Sequence, residues 1–150
     1  MTTQATPAAT KGLVAKASVT IDAPKAEVWR ALTTPEVIKE IMFGAETETD
    51  WRPGSPIKWK GEWEGKPFED KGEIIAFEPE RRLQYSHYSP KSNRPDTPDN
   101  YHTVTYELME SEGTTTVHLT QDNNPDEKTL KGSTQNWKTM LDGLKKTVES

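Results

Sequence analysis

The sequence predicts an α+β domain: one strand, two short helices, six further strands and a long closing helix. Three observations carry that prediction. A stretch of period two opens at Leu13, and short alternating stretches separated by turn residues fill the middle of the chain. A helical stripe of about five turns closes it. A length of 150 residues suits one domain. The expected organisation is a flexible N-terminal tail over 1–12 and a single domain over 13–150.

The first strand is read from Leu13, Ala15, Ala17, Val19 and Ile21, which share one face opposite Lys16, Ser18 and Thr20. Pro24 suits the first turn of a helix carrying Val28, Trp29 and Leu32. Thr34-Pro35-Glu36 reads as an N-cap, a proline at the first helical position and an acidic first turn. Val37, Ile38, Ile41 and Met42 form the apolar side of that second helix.

Strands follow from Gly44 onward. Glu46 to Trp51 is the first of them, and Arg52-Pro53-Gly54-Ser55-Pro56 is turn material. Ile57, Trp59, Gly61 and Trp63 face one way in the next strand, and Gly65-Lys66 turns it into Phe68 to Phe77. Leu83, Tyr85 and His87 alternate with Arg82, Gln84 and Ser86. A loop with three prolines spans Ser89 to Asn100, and a segment of that length is either functional or loose. Tyr101 to Met109 and Thr114 to Asp122 form a hairpin, with Met109 expected opposite Thr114. Asp126 can cap the last helix, whose stripe is Leu130, Thr134, Trp137, Leu141, Leu144 and Val148.

Composition narrows the function classes. Apolar residues are 31% of the chain, which is polar for its length, yet five Trp, four Tyr and three Phe are too many rings for a solvated chain. The core is expected to be rich in rings, since only eight Leu are available. The net charge of −5 argues against nucleic acid and anionic membrane surfaces as partners. No cysteine means no disulfide, thiolate metal site or cysteine nucleophile. The absence of a secretory start and of a long apolar run points to a cytoplasmic chain with no membrane span.

The local wording is more specific than the element order. Val19-Thr20-Ile21-Asp22-Ala23-Pro24, Val28-Trp29-Arg30-Ala31-Leu32-Thr33 and Asp50-Trp51-Arg52-Pro53-Gly54 resemble the family named for the ATPase activator of the 90-kDa heat-shock chaperone. Glu78-Pro79 with Arg81-Arg82-Leu83, then Val104 to Leu108, Leu119 to Pro125 and Asn136-Trp137 extend the resemblance across 13–149. It implies the START-like (SRPBCC) helix-grip fold, in which a curved antiparallel sheet of about seven strands wraps the long C-terminal helix. It also implies a module that binds a ligand or a partner, here without a cofactor.

In such a fold the gap between sheet and helix is either filled or hollow. The inward candidates are Trp59, Trp63, Tyr85, Tyr106, Trp137 and Met140, with Phe43 guarding the mouth. They predict a cavity for a small hydrophobic or aromatic molecule. His87 and His102 come close on the inner face if the Pro-rich loop joins neighbouring strands, and each is expected to bond an aromatic hydroxyl or a backbone group rather than a metal. Asp70 is the one carboxylate with inward parity and a candidate general acid. Arg81-Arg82 read as a solvated turn, and Gln121 to Pro125 as a structural junction. No serine elbow or phosphate-cradling loop is present. Two rival classes remain: a co-chaperone-like, stress-related interaction module that docks a protein such as a chaperone, and a small cyclase- or dehydratase-like enzyme using acid–base residues in the cavity.

Overall fold

Alternation and stripe resolve into one sheet and three helices. The computed structural model describes residues 12–150, apart from the side chains of residues 63 and 91. The tail expected over 1–12 lies, save for Gly12, outside the described residues. In chain order the elements are β1 (Leu13–Ile21), α1 (Lys25–Leu32), α2 (Pro35–Ile41), β2 (Glu46–Thr49), β3 (Pro56–Trp63), β4 (Lys66–Glu78), β5 (Arg82–His87), β6 (His102–Ser111), β7 (Thr114–Asn124) and α3 (Glu127–Glu149). The strands form a seven-stranded antiparallel sheet in the order β1-β7-β6-β5-β4-β3-β2. It curves around α3, which is the helix-grip arrangement.

The core follows the parity of the strands. Ala15, Ala17 and Ile21 of β1, Ile57 and Trp59 of β3, Leu83 and Tyr85 of β5, and Val117 and Leu119 of β7 are buried. Against them α3 lays Met140, Leu141 and Leu144, each 2% exposed or less. Val28, Trp29 and Leu32 of α1 and Ile38 and Ile41 of α2 close the end of the sheet. Burial of these apolar faces is the main favourable contribution to folding.

Several boundaries move for local reasons. Pro24 stands at the N-cap of α1, one place before the first helical residue. Thr34 occupies the N-cap position of α2, but its hydroxyl donates back to the Arg30 carbonyl instead of accepting from the helix. β2 stops at Thr49 because Trp51 takes a positive φ of 56°. The two hairpins turn on Glu64-Gly65 and Glu112-Gly113, all four at positive φ, so Lys66 belongs to β4. The tighter second turn pairs Met109 with Thr116, not with Thr114. That slip is two residues, so every side chain keeps its face. His118 accordingly points outward, paired with Glu107 and Ser18.

The last residues of β7 tie the layers together. Asp122 accepts from the Thr103 amide at 2.6 Å, which seats the start of β6. Asn123, at φ 59°, donates to the carbonyls of Asp99 and Tyr101 and holds the end of the Pro-rich loop. Buried Asn124 donates to the carbonyls of Leu13 and Gln121 and accepts from the Ser133 hydroxyl, joining β1, β7 and α3. Asp126 then caps α3 by accepting from the Thr129 amide at 2.8 Å. The Pro-rich loop is itself structured: it contains the short 3-10 turns Pro90–Ser92 and Pro98–Asn100. Its Asp96 carboxylate pairs with Lys71 of β4 and accepts from the Tyr101 hydroxyl.

Where β4 meets β5, Gly72 lies against the Ser86 carbonyl. A Cβ there would sit 1.7 Å from that oxygen. Gly72→Ala is therefore expected to lower unfolding stability by on the order of 3 kcal/mol through forced separation of the strands. Urea denaturation followed by tryptophan fluorescence measures it; a loss under about 1 kcal/mol would mean the strands part without cost.

Candidate functional site

Parity brings rings to the concave face of the sheet. Trp59 on β3 and Tyr85 and His87 on β5, one strand apart across β4, point toward α3. The Trp59 and Tyr85 rings are 5.0 Å apart, and Trp59 meets His87 edge-on at 5.1 Å. Tyr106 on β6 follows Tyr85 at 5.8 Å, and Trp137 of α3 meets Tyr106 edge-on at 6.3 Å. These rings form one connected array across sheet and helix.

A cavity of about 420 Å³ opens beside this array. Trp59, Tyr85 and His87 form its floor, and Asn136 and Trp137 of α3 form one wall. Met42, Phe43 and Ala45, from the turn after α2, form another. Phe68 and Asp70 of β4 complete it. Phe68 lies over Gly61, its partner across the β3–β4 pair; a Cβ on Gly61 would be 2.8 Å from that ring. Phe43 has φ 56° and is 54% exposed, so its ring stands at the mouth.

Polar groups in this region are few and mostly paired. The His87 Nε2 lies 2.9 Å from the Asp70 Oδ2. Asp70 is opposite Trp59 in the β3–β4 register, which turns its carboxylate inward. The Trp137 indole N–H donates to Gln121 Oε1 at 2.7 Å. The Tyr85 and Tyr106 hydroxyls share a hydrogen bond of 2.8 Å. Burial raises both phenols above the ordinary tyrosine range, so each remains a neutral hydroxyl.

The family described as "Activator of Hsp90 ATPase homolog 1-like protein" matches residues 22–149. This chain belongs to that family. The solution structure of ChR145 from Cytophaga hutchinsonii is 52% identical, with a TM-score of 0.81, covering 94% of this chain and 96% of that one. The Aha1 dimer from Colwellia psychrerythraea is 18% identical, with a TM-score of 0.71, covering 91% of this chain and 96% of that one. CalU16 from Micromonospora echinospora is 24% identical, with a TM-score of 0.69, covering 93% and 86%. The latter two likenesses concern the fold. No curated protein matches the chain. Among the described residues no helix is long and apolar enough to cross a membrane.

Within this Hsp90-activator-like fold the candidate residues divide. Phe43, Trp59, Tyr85, His87 and Trp137 border the cavity. Tyr106 and Met140 lie deeper, beside a void of about 20 Å³ in the core between the sheet and α3. The side chain of Trp63 lies outside the described residues. His102 is paired with His87 in the β5–β6 register, and their rings stack at 6.0 Å. It borders a separate polar pocket with Arg94 and Asn100, because its Nδ1–H donates to the Asp122 carbonyl at 2.8 Å and turns it away. His102 thus has the backbone partner expected of it, whereas His87 has a carboxylate instead of a hydroxyl or backbone group. Met42, Ala45, Phe68 and Asn136 were not among the candidates. Phe68 had a signal in its alignment with Gly61 across a hairpin; Asn136 had none, since helix and sheet meet only in the fold. Arg81 and Arg82 both pair with Glu78 at the β4–β5 turn, away from the cavity.

Burial, and then the neighbouring His87, hold His102 below the ordinary histidine value of 6.5. The folded chain therefore binds this proton more weakly than the unfolded chain. The associated stability is complete above 6.5 and declines as pH falls through that value toward the folded one. An NMR titration of the ring protons should place the His102 midpoint below 6.5. His102→Gln, which retains a donor for Asp122, should lose less stability than the parent chain between about pH 7.5 and pH 5.5. Equal losses would show that His102 does not carry the dependence.

Proposed function

We propose that the chain binds a small hydrophobic or aromatic molecule, without transforming it, in the cavity between β3–β5 and α3. The single observation that carries this reading is the cavity itself: about 420 Å³, bordered by Trp59, Phe68, Tyr85 and Trp137. Sites for small molecules are commonly hollows of roughly 300–1,000 Å³, mostly apolar, with a few polar groups to fix orientation. His87, Asp70 and Asn136 are such groups here. A rigid ring lining also loses little side-chain entropy when a ligand arrives.

A second reading, acid–base catalysis, has one observation in its favour, the contact of 2.9 Å between Asp70 and His87. A carboxylate that orients an imidazole is a recurring device for holding a general base. The two readings separate on the fate of the bound molecule, which binding alone returns unchanged. A co-chaperone-like role draws on the family description; it does not account for the cavity.

The neutral dye N-phenyl-1-naphthylamine is expected to bind saturably, at one dye per chain, with quenching of tryptophan emission. Asn136 is exposed and borders the cavity, so Asn136→Trp should fill it without disturbing the core. That variant should weaken dye binding at least tenfold and leave Tm within about 2 °C of the parent. Dye binding that does not saturate in the parent chain would refute the reading. Mass spectrometry of small molecules released on denaturing the purified protein tests it independently.

A further inference from the structure

The polar end of the cavity is asymmetric. His87 borders the hollow, and its Nε2 faces the Asp70 carboxylate at 2.9 Å. A carboxylate oxygen accepts, so Nε2 carries the proton that faces Asp70, and in the neutral form of the ring Nδ1 is then an acceptor. Among the described residues Nδ1 has no hydrogen-bond partner, and it is not one of the buried polar atoms sealed from solvent. Trp59 edge-on at 5.1 Å and His102 stacked at 6.0 Å hold the ring plane. The remaining border near it is aromatic or aliphatic: Trp59, Phe68, Tyr85 and Ala45.

Resting on the reading of the cavity as a binding site, we propose that its ligand class is neutral, ring-bearing molecules with a hydroxyl, which donates to His87 Nδ1 while the rings stack among Trp59, Phe68 and Trp137. The physical basis is selectivity by an acceptor that must be satisfied. A phenolic hydroxyl supplies one acidic donor on a flat apolar body, matching the acceptor that His87 presents in an aromatic hollow, where another acceptor, the Asp70 Oδ1, is sealed from solvent without a partner. Removing that donor leaves Nδ1 desolvated and unpaired, so the analogue without it is rejected. Asp70 adds a second selection. Its charge stands beside His87, so a carboxylate or sulfonate in the same place meets repulsion in a medium of low dielectric constant. Asn136, on the opposite wall, can pair with a further polar group without a preference of sign.

The test is displacement of bound N-phenyl-1-naphthylamine at pH 8 by 2-naphthol, by its methyl ether 2-methoxynaphthalene, and by 2-naphthoate. The parent chain is expected to prefer 2-naphthol over the ether by about tenfold, and to bind 2-naphthoate more weakly than either. His87→Phe keeps a ring and removes the nitrogen; it should bind naphthol and ether equally, with ether affinity within about threefold of the parent. Asp70→Asn, which leaves the tautomer unfixed, should reduce the preference and restore binding of 2-naphthoate. Dye that binds but is displaced equally by naphthol and ether in the parent chain overturns the ligand class and leaves the cavity reading standing. A preference that persists in His87→Phe overturns the role of Nδ1. A parent chain that binds neither dye nor naphthol overturns both the cavity reading and this inference.

Discussion

The seating of one apolar stripe of α3 in the hollow of the sheet is the constraint from which the rest follows. Met140, Leu141 and Leu144 are nearly inaccessible and fill one end of that hollow. The stripe weakens toward the N-terminal half of the helix, where Trp137 is half-buried and Asn136 is exposed. A chain with 31% apolar residues and eight Leu has few aliphatic side chains with which to fill the space between a curved sheet and a helix of this length. The cavity lies where the aliphatic residues give out and the rings begin. It is thus a consequence of composition acting through topology.

Rings suit such a boundary because they pack like apolar groups and end in polar atoms. Tyr85 and Tyr106 satisfy each other through their hydroxyls, at a depth where an unpaired donor would be costly. Trp137 places its indole N–H on Gln121, and His87 its Nε2 on Asp70. Each pairing fixes a ring plane, and the fixed planes define the shape of the hollow. The junction at Asp122-Asn123-Asn124 performs the matching task for the backbone. It anchors β1, the start of β6 and the Pro-rich loop within three consecutive residues, so the sheet cannot slide relative to α3.

The second polar pocket, beside Arg94 and His102, shares this architecture. His102 faces it because its Nδ1–H is committed to the Asp122 carbonyl, and it stacks on His87 from the far side. Two histidines in register across β5 and β6 therefore serve different surroundings. One borders an aromatic hollow and holds a carboxylate; the other is bound to backbone and disfavours its charged form through burial. Proximity in the sheet does not make them a pair in function.

Period two in β1 and β3, the start of α2 after Thr34, the cap at Asp126, and the steps of four and three along α3 were legible in the residues themselves. They express local geometry: alternation across a pleat and recurrence every 3.6 residues need only neighbours in sequence. The inward parity of Trp59, Tyr85, His87 and Asp70 was legible for the same reason. Turn details were not, because Met109 opposite Thr114 and Met109 opposite Thr116 place the same side chains on the same faces, and only the two-residue turn at Glu112-Gly113 selects between them. Nor did the sequence separate Tyr106 and Met140, deep in the core, from the residues that border the cavity. Depth depends on how far α3 sinks into the curved sheet. That is set by contacts between residues far apart in the chain, such as Asn124 with Leu13 and Ser133, whose energies no local pattern encodes.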